Sequence, residues 1–442
     1  MKNTDTNKTP RGIALQLLLR VEEKNAFADR ILSSQQVTQL ERRDRLFVRE
    51  LLLGVLRHKL RIDRIIEIYY HRSPGSLEPE IRDILRLGLY QMMHMDSVPV
   101  WAAVNESADM ATAHRGKSAA GLVNAVLRRF SRDGEPPLPD TTAERISIET
   151  SHPDWMVRRW IDRYSEPTAA SICRAGIKKH PVFIRIQPER VTAEDLVSRL
   201  AEEGFEASHV PTMGGFLEVQ HASGLFDGSA FTDGLFTVQD PSAGVAVELL
   251  APKPEESVID LCAAPGGKST YCAELMGDCG RVYALDRHPG RLGLVRESAD
   301  RLGLKTVECI QGDASTFGSD GKVTYDRVLL DAPCTGTGVL SKRPDMKWSL
   351  REEDISRLAD IQRKLISNAV NLVKPGGVLV YSTCSLEPEE NEGNVRWLLE
   401  SYRQFSLERD AGFNDYEEEY GYLILPHRMG GTGAFAAKLR RE

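Results

Sequence analysis

The chain has 442 residues, 41% of them hydrophobic and 27% charged, an ordinary globular composition with room for roughly two to four domains. No apolar run is long enough to span a bilayer, and the opening "MKNTDTNKTPRG" lacks the apolar core of a signal peptide, so a cytoplasmic protein is expected. The net charge of -7 is uneven: residues 1–150 carry 23 basic and 20 acidic side chains and the remainder 34 and 44, a balance that excludes no nucleic-acid partner.

Residues 10–130 read as all-helical. Phe47, Leu51 and Val55 recur at four-residue spacing beside Val48, Leu52 and Leu56, and Leu122, Val126 and Phe130 repeat the pattern. Arg42, Arg45 and Arg49 share one helix face, and Arg128, Arg129 and Arg132 crowd the end of a later helix. These are candidate RNA contacts; a solvated basic face and cations near helix C-termini account for them equally well. "SRDGEPPLPDTT", from Ser131, reads as a linker.

From about Ala143 to Asp240 the pattern is a small α+β unit. "PVFIRI", "GFLEVQ" and "GLFTVQD" read as strands and "AEDLVSRLAEEG" as a helix. After Pro241, strands and helices alternate. "SVIDLC", "RVYALD", "TVECIQ", "YDRVLLD" and "GGVLVYS" are the strands, and their continuous Val/Ile/Leu content predicts a doubly wound parallel sheet. The expected architecture is a multidomain chain: an all-α part (1–142), an α+β part (143–240) and an α/β Rossmann-type part (241–442).

Ligands of such sheets bind at the carboxyl ends of the strands. The first strand runs into "DLCAAPGGKST", a Gly-containing turn. A triphosphate loop would need glycine where Cys262 stands, and the dinucleotide fingerprint is absent. S-adenosylmethionine, with an adenosine and no phosphate, fits better: Gly266 and Gly267 let backbone approach its amino-acid end. Asp286 closes the second strand nineteen residues after Gly267, the offset at which a carboxylate meets ribose hydroxyls. Asp313 is placed for the adenine amino group and Asp331 for the neighbourhood of the sulfonium. Each aspartate alone is an ordinary cap or turn residue; three in succession at strand ends are not.

Seven cysteines occur, an odd count, and none form C-x-x-C, so neither a disulfide framework nor a zinc site is expected, and no metal. Cys334 and Cys384 follow the last two apolar strands. A thiolate adding to C6 of cytosine would make C5 nucleophilic enough to take a methyl group, and a base must then remove the C5 proton. Both cysteines stand where this chemistry would occur, with Asp331 able to hydrogen-bond the base at N3 or its exocyclic amine. Cys173, Cys272, Cys279 and Cys309 are assigned to packing. Arg343, Asp345 and Lys347 either place RNA near the pocket or form a polar surface loop.

"DLCAAPGGKST", "LDAPCTGTGVL" with "RPDMKW", and "YSTCSLEPEEN" resemble the signature motifs of the NOL1/NOP2/Sun family of RNA cytosine-C5 methyltransferases. "ERRDRLFVRELLLGVLRHKLRID" and "VPVWAAVNESADMA…GLVNAVLRRF" resemble a NusB-like RNA-binding domain, and "SHPDWMVRRWIDRY" a segment joining the two parts in one subgroup. The resemblance implies Cys384 as nucleophile and Cys334 as an aid to product release, roles that spacing does not assign, since DNA cytosine methyltransferases use a Pro-Cys nucleophile. It further implies S-adenosyl-L-methionine held by Cys262, Ala263, Ala264, Pro265, Gly266, Gly267 and Lys268 with Asp286, Asp313 and Asp331. Small-subunit ribosomal RNA is the implied partner, with no membrane partner and a monomer as the default. One departure is the C-terminal "GGTGAFAAKL", where the family carries an Asp-Gly-Phe-Phe stretch.

Overall fold

The computed structural model describes residues 6–24, 26–319, 321, 323–429 and 431–442, so the first residues of the polar opening and Gly430 of the C-terminal stretch lie outside the described residues. The chain forms two compact units, one made of residues 1–178 with 340–350, the other of 179–339 with 351–442.

The first unit is helical: α1 (Pro10–Lys24), α2 (Ala28–Leu32), α3 (Gln35–Thr38), α4 (Arg42–Tyr70), α5 (Pro79–His94), α6 (Val100–Asp133), α7 (Thr142–Thr150), α8 (Asp154–Tyr164) and α9 (Glu166–Ile177). The apolar stripes become its core: Leu51, Leu52, Val55 and Leu56 of α4 pack with Leu15, Leu18, Ile84, Leu85, Val126 and Leu127. Phe47 and Leu122, read as stripe members, stay partly exposed at the rim. Gly54 lets α4 approach α5, because a Cβ there would overlap the Tyr90 ring. α6 continues to Asp133, so the first three residues of the expected linker are helical.

A distant segment completes this unit. Residues 340–350 carry a short helix, α15 (Met346–Ser349), and they are not the polar surface loop that the sequence allows. The Lys347 ammonium is buried and donates to the carbonyl oxygens of Arg57 (3.0 Å) and Ser151 (2.7 Å). Trp348 Nε1 donates to the Leu56 carbonyl at 2.7 Å, and buried Asp345 accepts from the Ala28 amide at 3.1 Å. Alternating charge in "RPDMKW" looks solvated; backbone carbonyls and an amide supply the partners that let it be buried.

The second unit holds two sheets. β1 (Val182–Ile186), β2 (Glu206–His209), β3 (Phe216–Gln220) and β4 (Phe236–Val238) form an antiparallel sheet in the order β2-β3-β1-β4, covered by α10 (Ala193–Glu202) and with α11 (Ser229–Thr232) before β4. α12 (Pro241–Leu250) then leads into β5 (Ser257–Asp260), α13 (Gly267–Leu275), β6 (Arg281–Asp286), α14 (Pro289–Leu302), β7 (Val307–Gln311), β8 (Tyr325–Asp331), α16 (Glu353–Ala369) and β9 (Val373–Thr383). α17 (Glu392–Ser401), β10 (Phe405–Glu408), β11 (Glu417–Glu418), β12 (Gly421–Ile424) and β13 (Ala434–Arg441) close the chain.

The large sheet is ordered β11-β12-β13-β9-β8-β5-β6-β7, with β10 also on β13. The stretch from β9 to β7 is parallel, as expected, but β13 is antiparallel to β9 and the sheet is therefore mixed. β13, "AFAAKLRR", is buried along six of its eight residues because it is paired on both edges. The strand order reverses at β5 and β8, the position at which a doubly wound sheet opens a crevice.

The two sheets are tied by Arg185 of β1. Its buried guanidinium forms a salt bridge with Glu274 of α13 at 2.6 Å and donates to the Gly267 carbonyl at 2.9 Å.

Burial, with the Arg57 charge, lowers the Lys347 ammonium to about 7. The unfolded chain therefore binds more protons than the folded one above that pH, and this side chain's contribution to stability rises from about pH 7 toward the ordinary lysine range. In urea unfolding followed by circular dichroism, the stability of the wild type relative to Lys347→Met should grow by on the order of 1 kcal/mol per pH unit between pH 7 and 9. An unchanged difference would mean that the ammonium is not held as the structure shows.

Candidate active site

The carboxyl ends of β5, β6, β7 and β8 present the residues picked out from the sequence. After β5 the chain turns through Cys262–Lys268. Gly266 has φ +107°, and a Cβ on it would meet Val295 at 3.0 Å, so only glycine closes this turn without strain. The Gly266 amide donates to the Ala263 carbonyl (2.8 Å), and the Ala263 amide to the Leu285 carbonyl of β6 (2.9 Å). Beneath the turn, buried Asp260 accepts from the Ser269 hydroxyl (2.7 Å) and the Cys262 amide (3.4 Å). Burial raises its carboxyl to about 6, against the Ser269 hydrogen bond and with the Asp331 charge adding to the rise. In the sequence Asp260 looks like an ordinary strand residue, and an aspartate ending an otherwise apolar strand is the one local sign of its place.

Asp286, nearly buried, accepts from the His288 amide at 2.9 Å and lies 3.4 Å from the Arg291 guanidinium. Asp313 stands two residues past β7 and is more open. Hydrogen bonds from the Ser315 hydroxyl (2.7 Å) and amide (2.9 Å), with Arg287, lower its carboxyl to about 2. Both side chains are thus oriented by their own turns.

Asp331, the last residue of β8, joins the two halves of the crevice. One oxygen accepts from the Ser382 hydroxyl of β9 (2.8 Å), and the other pairs with the Lys268 ammonium (2.7 Å). Burial pulls the Lys268 ammonium down, but the charges of Asp331 and Asp260 outweigh it and the net shift is upward, so the pair is ionic. The Lys268–Asp331 pair is the main feature that the sequence did not announce, because its partners are 63 residues apart.

The two cysteines are brought together. Cys334 and Cys384, both partly exposed, have sulfurs 3.2 Å apart. The hydrogen bond with Cys384, then burial, then the charges of Glu390 and Asp331 hold the Cys334 thiol well above its usual range. Cys173 and Cys272 are buried, as packing residues would be; Cys279 is exposed in the turn after α13, which corrects its assignment to packing. Among the described residues no group of His, Cys, Asp and Glu side chains is arranged to hold a metal ion.

The arginines singled out lie in the helical unit. Arg42, Arg49 and Arg128 are exposed and Arg45 is partly so. Arg129 lies over the Tyr69 ring and bonds His71, and Arg343 pairs with Asp29 at 3.3 Å beside the Phe27 ring. No helix among the described residues is long and apolar enough to cross a membrane.

Comparison with known proteins identifies the class first. Residues 247–440 match the family described as 16S rRNA methyltransferase RsmB/F, residues 8–132 the NusB family, and residues 152–223 the RsmF/B-like ferredoxin-like domain. In chain order, a NusB-type helical part, a ferredoxin-like domain and a methyltransferase domain are what these matches define. The chain is 34% identical to a probable ribosomal RNA small subunit methyltransferase B of Bacillus subtilis, covering 98% of each chain. It is 34% identical to ribosomal RNA small subunit methyltransferase B of Pasteurella multocida, over 98% of this chain and 96% of that one. Among solved structures, PH0851 is 28% identical with a TM-score of 0.81 over 98% of this chain and 99% of that one. NSun6 from Pyrococcus horikoshii with SFG is 25% identical with a TM-score of 0.58, over 65% of this chain and 98% of that one. This chain belongs to the RsmB/F family of 16S rRNA methyltransferases.

Gly266→Ala should lower stability in thermal unfolding by about 1–2 kcal/mol, the cost of a side chain in left-handed backbone; an unchanged melting transition would show that the turn does not require this conformation.

Proposed function

We propose that this protein transfers a methyl group from S-adenosyl-L-methionine to C5 of a specific cytosine in small-subunit ribosomal RNA, through a covalent adduct between a cysteine and C6 of the base. The observation that carries this reading is the pair of sulfurs 3.2 Å apart beside the Lys268–Asp331 ion pair, on adjoining strand ends. The cofactor reading rests on the Gly266 turn and on three carboxylates at successive strand ends, a set of acceptors suited to the hydroxyls and amine of an adenosine with a cationic sulfonium rather than to a phosphate. Cys262–Lys268, Asp286, Asp313 and Asp331 would hold that group, which supplies an electrophilic methyl.

Cys384 adds to C6 as the thiolate, which leaves the electron pair at C5. Asp331 accepts a hydrogen bond from the exocyclic amine, or from N3 once that nitrogen carries a proton, and steadies the base during addition. After methylation a general base takes the C5 proton, the electron pair of that C–H bond re-forms the C5–C6 double bond, and the bond from Cys384 to C6 breaks with its electrons returning to the sulfur as thiolate. Cys334 assists that release; held as the thiol 3.2 Å from Cys384, it can donate a hydrogen bond to the departing thiolate rather than attack the base itself. The exposed faces of Arg42, Arg45, Arg49 and Arg128, with Arg129 and Arg343, are proposed to contact RNA phosphates. A cytosine within a stem would have to be unstacked first, so naked or partly assembled RNA is the favoured substrate.

The test mixes wild type, Cys334→Ala and Cys384→Ala with the cofactor and unmodified small-subunit ribosomal RNA. Methyl transfer to C5 and protein–RNA adducts surviving SDS are read together. Cys384→Ala should lose transfer by at least a thousandfold with no adduct, and Cys334→Ala should accumulate adduct. Methylation by Cys384→Ala would reassign the nucleophile to Cys334, and wild-type transfer to transfer RNA alone would overturn the substrate. For the arginines, Arg42→Glu with Arg49→Glu should weaken RNA binding about tenfold and flatten the salt dependence by about two charges.

A further inference from the structure

Between the two cysteine turns lies a carboxylate that the chemistry above does not use. Glu390, fully buried, follows Cys384 by six residues. One of its oxygens accepts from the Thr335 amide (3.0 Å) and from Gln362 Nε2 (2.8 Å); the other accepts from the hydroxyls of Thr335 and Ser385 (each 2.5 Å). Thr335 is the residue after Cys334, and Ser385 the residue after Cys384. Gln362 also donates to the carbonyl of Pro333, the residue before Cys334, at 3.0 Å. Four donors converge on one side chain, and they come from both turns and from α16.

The surroundings make this carboxylate hard to replace. Gln362 cannot reverse its amide cheaply, because its oxygen already accepts from Asn394 Nδ2 (2.7 Å). The Glu390 backbone is anchored as well, its carbonyl accepting from the Tyr381 hydroxyl at 2.5 Å. An amide at position 390 would set an N–H2 against the Thr335 amide and Gln362 Nε2, neither of which can accept, or else force the Thr335 and Ser385 hydroxyls to turn round and accept, and either way the charge-assisted bonds are lost.

We infer that Glu390 is a positioning residue that clamps the turn after Cys334 to the turn after Cys384 and so sets the separation of their sulfurs. It acts through Thr335, Ser385 and Gln362, not on the base. The inference deepens the function proposed above and rests on it for its catalytic consequence, but the clamp itself is a statement about geometry and is tested without RNA.

Diamide converts two adjacent thiols to a disulfide and is itself reduced to the hydrazine, taking up the two protons and two electrons. The sulfurs need only close from 3.2 Å to the ~2.05 Å of a disulfide. Formation of the Cys334–Cys384 link, followed by peptide mass mapping, therefore reports the separation directly. Glu390→Gln should slow it at least tenfold, while S-adenosylmethionine affinity changes less than threefold. In the RNA assay, Glu390→Gln should lower turnover about a hundredfold yet raise the proportion of trapped adduct, as loss of Cys334 would; a purely structural role would lower adduct and turnover together. A link formed at the wild-type rate in Glu390→Gln sinks the inference. If that variant loses its cofactor affinity and its melting transition, Ser385→Ala and Gln362→Leu decide: each should slow linking at least threefold, and wild-type rates in both overturn the clamp. Wild-type protein that links readily but methylates no RNA would refute the proposed function and leave the clamp standing.

Discussion

The parallel register of β8 on β9 is the constraint on which the site depends. Leu330 lies opposite Tyr381 and Asp331 opposite Ser382, and the Ala332 amide extends the ladder to the Ser382 carbonyl at 2.8 Å. Cys334 and Cys384 then leave the sheet three and two residues beyond a matched pair, which is why thiols fifty residues apart meet. A slip of one residue would turn Asp331 away from Lys268 and Ser382 and separate the sulfurs by more than a bond can span. Burial on both faces makes such a slip costly, since Val328, Leu329, Leu330, Leu379, Val380 and Tyr381 are all buried.

The same crevice is held from a second direction. Arg185 reaches from the small sheet to the Gly267 carbonyl and Glu274, so the small sheet and α13 are joined by a buried, hydrogen-bonded charge pair rather than by apolar contact alone. Removing one partner of such a pair leaves an uncompensated charge, a cost of roughly 3–5 kcal/mol. The ionic pair of Lys268 and Asp331 plays the corresponding part at the mouth of the site. In both cases a charge in the turn after β5, or in the helix that follows, is matched by one supplied from another strand.

Much of this was legible in the chain. The helical stripes of the N-terminal part, the strands from "SVIDLC" to "GGVLVYS", the glycine turn and the strand-end aspartates all follow from local spacing. The C-terminal strands were harder. "AFAAKLRR" alternates too little to announce a central strand, and its burial comes from neighbours on both edges. "RPDMKW" misled in the opposite sense, because its lysine and aspartate are buried against backbone groups that no sequence pattern marks.

By itself, then, the sequence determined the kinds of element, the residues at their ends and the family, because helical and strand periodicity and short motifs are local properties. Only the tertiary structure decided the strand order, the antiparallel placement of β13, the pairing of Lys268 with Asp331, and the convergence of Thr335, Ser385 and Gln362 on Glu390. Each of these depends on which elements become neighbours, and that is settled by burial and register across the whole sheet rather than by any stretch of chain.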